Sequence, residues 1–282
     1  MWTTLLALLP LVAAPQDEGS KPPPPDPARV AAALESLETA MKRGEVGDRV
    51  RAIEGAADLA DAEVLGWIAR GLGDKQPEVR AAAVAALRYQ PHPAALKALE
   101  DALRKAPRSP DEDKAVAELV LAVGQHASPG SLALLTAGGL DRTRSHTTRA
   151  RIQALGRVRD PRAVEELIAL MNKAGNGRLG GGQLFDGDLR LSLWALTGTD
   201  EGPARESWMR WWNDHKRDFG VAPEVPEEPR ALAARWKALW ETPAEREARQ
   251  EKRREGKQKR EGEDRDGDDG RGPRERSGED TP

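Results

Sequence analysis

Along the middle of the chain apolar residues recur three and four positions apart, and they never alternate with polar ones for more than a few positions. Val79, Ala82, Ala83, Ala86 and Leu87 form one such series, and Leu96, Leu99 and Leu103 form another. This spacing places each series on one helix face. Strand-forming runs are sparse, so the pattern predicts an all-α chain. Between the two series stands Pro93, which ends one helix and opens the next, because a first-turn proline has no intrahelical N–H partner to lose. The same module returns without gaps: Ala86-Leu87 with Pro93, Leu96 and Leu99; Ala122-Val123 with Pro129, Leu132 and Leu135; Ala154-Leu155 with Pro161, Val164 and Leu167. Weaker copies carry Ala62, Leu65 and Ile68 before these, and Ala195-Leu196, Gly202 and Trp208 after them.

Anchors at 62, 93, 129, 161 and 202 therefore predict about five helix–turn–helix units, with Ser128 and Asp160 standing where N-caps belong. Gly130 and the Gly138-Gly139 pair predict a shortened or frayed second helix in the third unit. One hairpin cannot bury its apolar faces alone, whereas stacked copies share a thin continuous core. The expected fold is an α-solenoid of about five hairpins.

These residues carry a family resemblance. DKQPEVRAAAVAALRYQPHPAALKAL at 74–99 and TRARIQALGRVRDPRAVEELIALM at 148–171 resemble HEAT repeats of the short bacterial type. Pro77, Val79, Arg80, Ala82, Ala83, Ala86 and Leu87 match the first helix of that pattern. Gly156, Asp160, Pro161, Ala163, Val164 and Leu167 match its turn and second helix. The resemblance covers roughly residues 48–213. It implies a right-handed solenoid that contacts other proteins through a face lined by second helices, and it implies no catalytic residues.

Six of the eight tryptophans lie between 194 and 240. Trp208, Trp211 and Trp212 make one stripe on a helix, and Trp236 with Trp240 makes another. LWALTGTDEGPARESWMRWWNDHK resembles a terminal element of exported bacterial HEAT proteins. A last repeat exposes its apolar face, so these indoles are expected to cap the stack, with Trp194 beneath Trp208 and Trp212. The alternative is an aromatic patch for a partner, which makes Trp208, Trp211 and Trp212 candidate binding residues.

The ends read differently from the body. Residues 5–14, LLALLPLVAA, have the length and apolarity of a secretory signal and are too short to span a bilayer. The expected organisation is a signal peptide at 1–14, a proline-rich spacer at 15–27, the solenoid with its cap at 28–218, an extension with a tryptophan-rich helix at 219–244, and a charged tail at 245–282. That places the protein outside the cytoplasm, in the periplasm or beyond the cell; a frayed apolar start of a cytosolic protein is the alternative. The tail has almost no apolar residue and is expected to be disordered, although Thr242, Pro243 and Glu245 form a capping box that could start a solvated helix. Its charges segregate, basic at 245–260 and acidic at 261–282.

Charge and composition narrow the chemistry. Residues 28–244 hold 31 basic and 31 acidic side chains, a neutrality that argues against non-specific nucleic-acid binding. With no cysteine, thiolate metal sites, disulfides and cysteine nucleophiles are excluded. His92, His126, His146 and His215 show no ligand spacing, so no metal or cofactor is expected. The stretch 175–187, GNGRLGGGQLFDG, lacks the Gly-Lys-Ser/Thr ending of a phosphate loop and reads as a flexible insertion at a repeat boundary, either a binding loop or a passive linker. One basic cluster stands out: Arg142, Arg144, Arg149, Arg151, Arg157, Arg159 and Arg162, beside only Asp141 and Asp160. It reads either as arginines around a solvated helix or, through Arg144, Arg149 and Arg151, as a patch for an acidic partner. The leading expectation is an exported, non-catalytic scaffold that binds another protein, with no small-molecule substrate, no nucleic acid and no membrane span after signal removal. Two alternatives stand beside it. One is an enzyme of the DNA-alkylation-repeat glycosylase kind, and the other is a cell-envelope surface binder acting through the tail.

Overall fold

The computed structural model describes residues 25–175 and 183–268. The predicted signal and most of the spacer, the Gly-rich residues 176–182 and the last part of the tail lie outside them. Among the described residues there are helices and turns and no strand. A lead helix α1 (Pro27–Arg43) is followed by five hairpins. They are α2 (Val46–Gly55) with α3 (Ala62–Gly71), α4 (Pro77–Arg88) with α5 (Pro93–Lys105), α6 (Asp113–Gln125) with α7 (Leu132–Thr136), α8 (Ser145–Leu155) with α9 (Pro161–Gly175), and α10 (Gln183–Thr197) with α11 (Arg205–His215). Then come α12 (Arg230–Trp240) and α13 (Pro243–Asp268). First helices pack on first helices, α2 on α4, α4 on α6, α6 on α8 and α8 on α10, while α3 packs on α5 and α9 on α11.

The anchors stand at the turns. Ala62, Pro93 and Pro161 are the first residues of α3, α5 and α9, and Pro129 opens the 3-10 turn before α7. The glycines of the third unit cut α7 to five residues, as the sequence predicts. Capping is less uniform. Asp160 accepts the Arg162 amide at 2.9 Å, whereas the Ser128 side chain caps nothing. His92 caps α5 instead, its Nδ1 accepting the Ala94 amide.

The core is thin and aliphatic from Leu37 to Met171, and its largest fully buried side chains, Trp194, Trp208 and Phe185, gather in the last hairpin. Close approach depends on two glycines at equivalent repeat positions. A Cβ on Gly124 would stand 2.6 Å from the Ala154 Cβ, and one on Gly156 would stand 2.7 Å from the Ser192 Cβ. At these two junctions, α6 with α8 and α8 with α10, the helices touch nearly backbone to backbone.

Neighbouring units are also tied by polar groups. Asp113, buried at the start of α6, accepts the amides of His146 (2.9 Å) and Thr147 (3.0 Å) and so caps α8 from the preceding unit. Burial alone would raise its pKa, but the Thr147 donors and the His146 amide outweigh that and hold it below the usual aspartate value. A depressed folded pKa contributes stability above the unfolded value and loses it as pH falls through the folded one. Asp113→Asn is expected to cost about 2 kcal/mol near neutral pH. Urea titrations at descending pH should show the gap between wild type and variant closing only in acid.

The first part of the tail is the solvated helix that its capping box allows, and α13 runs to Asp268. Its start is the capping box: the Thr242 amide donates to Glu245 Oε2 at 2.8 Å and the Glu245 amide to Thr242 Oγ1 at 3.2 Å. Glu, Lys, Arg and Gln then continue it, all good helix formers that need no core. Arg249 makes two bonds of 2.8 Å to the buried Glu241, anchoring the helix to its predecessor.

Candidate interaction surfaces

The arginine cluster divides into internal ties and a residual patch. Arg149 Nε donates to Asp188 Oδ2 at 2.8 Å, and Gln153 reaches the other oxygen of that buried carboxylate at 2.9 Å. Arg157 donates to the Gln125 carbonyl at 3.1 Å and Arg159 to the Ala195 carbonyl at 2.6 Å. Both meet carbonyls in the last turns of neighbouring first helices, and burial lowers the pKa of each arginine. These three tie the stack together, and Arg149, although paired with Asp188 of α10, keeps 39% of its side chain exposed. Arg162 pairs locally with Asp160.

Arg144 and Arg151 do come together, with Arg108 as a third member that the sequence pattern missed. Arg144 reaches the Pro107 carbonyl at 3.4 Å, and the Arg151 guanidinium lies where a side chain on Gly138 would stand. Burial lowers the Arg151 pKa first, and the charges of Arg144 and Arg108 add to it.

The tryptophans require a similar division. Trp208 is fully buried and donates from Nε1 to the Gly202 carbonyl at 2.8 Å, and Trp212 is buried to 9% exposure. Both belong to the core, which corrects their candidacy as partner contacts. Trp211 alone of the three keeps exposed surface, stacked on His215 with ring centres 4.6 Å apart and edge-on to Phe219 at 5.4 Å. Trp194 shares that core, but its indole N–H goes to the Glu228 carbonyl at 3.0 Å. The end of the Gly-rich stretch is not loop: Gln183–Gly187 start α10, with Phe185 buried.

His126 donates from Nε2 to the Leu87 carbonyl at 3.2 Å, and burial lowers its pKa. Its position in the repeat thus serves packing between units. Among the described residues no three His, Asp or Glu side chains gather to hold a metal ion, and no helix is long and apolar enough to cross a membrane.

A groove of ≈ 790 Å³ lies on the second hairpin, bordered by the end of α3 and the start of α6. Small apolar side chains, among them Ala81, Val84, Ala85, Ala98 and Ala102, make its floor. Charges of both signs stand at its rim, where Arg80 of α4 pairs with Glu112, in the turn before α6, at 3.3 Å and Arg88 with Glu118 of α6 at 3.6 Å. Sequence reading passed over this groove. Its signal was alanine at four-residue spacing, 81 with 85 and 98 with 102, beside the positions that form the core.

Residues 32–122 match the family model described as HEAT repeats. No curated protein matches the chain. The matched segment runs from within α1 into α6 and contains the groove, and the hairpins after it continue the same helix-on-helix arrangement through α11. The segment 32–122 thus carries HEAT repeats.

Proposed function

We propose that this protein is a non-catalytic scaffold, exported from the cytoplasm, that holds a helical segment of another protein in the groove on its second hairpin. HEAT repeats commonly mediate protein–protein interaction. The groove is the observation that carries the reading. Its alanine floor lets a partner backbone approach closely, and its rim of both signs fixes orientation more than it adds affinity. Export rests on the apolar run at 5–14 and the proline-rich spacer behind it.

The absence of cysteine makes the test clean. Single variants A85C and A102C, each carrying a photocrosslinker on the introduced thiol, are expected to capture the same protein from the native envelope fraction. A85W, which fills the groove, is expected to abolish capture by the A102C probe when the two changes are combined. Equal adducts from a crosslinker at the exposed Lys97, or no adduct in the groove, would count against the reading. Export has its own measurement. Placing arginine at Leu8 and Leu9 should retain the chain in the cytosolic fraction, and unchanged fractionation would contradict the assignment.

A further inference from the structure

The segment after the last hairpin is itself seated on the stack as a ligand would be. α12 crosses the C-terminal ends of the first helices and sets two indoles over two glycines. Trp240 Cη2 stands 3.1 Å from where Gly124 would carry a Cβ, and Trp236 Cη2 stands 2.7 Å from the same point on Gly156. Both glycines follow the Ala-aliphatic pair of their repeats; the corresponding residue is Arg88 in the second hairpin and Thr197 in the fifth. The stack therefore offers two glycine-floored sockets, and α12 fills both. Around them the seat reads chemistry as well as shape. The guanidinium of Arg157 lies 5.0 Å from the Trp240 ring centre and that of Arg88 lies 6.0 Å from it. Gln125 donates to the Trp240 carbonyl at 3.5 Å, and Arg235, next to Trp236, stands 3.6 Å from Asp188.

Two features mark the seat as exchangeable. Among the described residues the buried indole N–H groups of Trp236 and Trp240 meet no acceptor, and each such donor weakens the seat. The N-cap residue Pro229 offers no side-chain acceptor, which leaves the first turn of α12 to one exposed side-chain bond, from the Arg230 amide to Glu228 at 2.9 Å. In addition, the sockets continue the groove, since Arg88 borders both.

We propose that the two sockets are a binding site for an amphipathic helix carrying two large aromatic residues four positions apart, with a basic residue before the first, and that α12 holds this site closed until a partner's helix displaces it. The proposal rests on the protein-binding reading above, but its test needs only the chain's own sequence. A fluorescent peptide of residues 229–242 is titrated against the full chain, wild type and W236A/W240A. The double variant should bind it at least tenfold more tightly than wild type. Adding Gly156→Val to the double variant should abolish binding, as should replacing both tryptophans in the peptide.

Equal affinity for wild type and double variant, or no binding by a folded double variant, would overturn the proposal. So would a wild-type dimer that the peptide dissociates, because the seat would then belong to a second copy. Should the double variant lose its helical circular dichroism, amide exchange across 230–240 in the wild type decides. Protection lost under saturating peptide supports displacement, and protection unchanged refutes it. Failure of groove crosslinking with success here would discard the groove and keep the sockets.

Discussion

Replacing Trp194 by alanine is expected to lower the unfolding free energy by about 4 kcal/mol. The side chain is fully buried in α10 and is among the largest in the core. Truncation leaves an indole-sized void between close-packed helices, and a carbonyl on Glu228 loses its donor. Urea unfolding followed by circular dichroism measures the loss. Trp194→Phe keeps most of the volume and forfeits mainly the hydrogen bond, so it should cost about 1–2 kcal/mol. That bond also holds the strand of chain leading into α12, so both variants should lose amide protection at 230–240 before the rest of the stack does. A W194A penalty below about 1 kcal/mol would contradict the role of this indole in the core.

Gly156→Val is expected to cost about 3 kcal/mol. The added carbon would meet the Ser192 Cβ at 2.7 Å, the Ser192 Cα at 2.9 Å and the Trp236 Cη2 at 2.7 Å. The indole can swing away but the α10 backbone cannot, so α8 and α10 must separate. Gly66 gives the opposite sign as a control. It lies inside α3 with nothing within 4 Å of an added Cβ, and Gly66→Ala should stabilise the chain by about 1 kcal/mol through helix propensity alone. Thermal or urea unfolding of the two variants side by side separates crowding from a general effect of losing glycine.

The hairpins were legible because their signals are local. A proline seven residues after an Ala-aliphatic pair dictates a turn, and Gly130 with Gly138 and Gly139 dictates a truncated α7. The ties between units were not legible, because each joins residues more than thirty positions apart. Asp113 caps α8, Arg157 and Arg159 meet the carbonyl ends of α6 and α10, and nothing near any of them in sequence names the partner. An arginine-rich stretch therefore looked like a patch when much of it is internal bonding. Stripe spacing likewise showed that Trp208 and Trp212 share a helix face, and it said nothing about which side that face buries. Helix α13 was half legible: the capping box announces its start, but low hydropathy argues for disorder where propensity alone carries the helix on.

Arrays whose units touch only their neighbours can come apart one unit at a time from either end. The seat of α12 removes that freedom from one end. A segment that follows the fifth hairpin contacts Gly156 in the fourth, Gly124 in the third and Arg88 in the second. No terminal unit on that side can peel away without breaking contacts two and three units back. The molecule should then melt asymmetrically, fraying at α1 and α2 while the hairpins from α4 onward unfold in one cooperative step. Long-range closure of this kind also raises contact order, so refolding should be slower than in an unstrapped array of the same length.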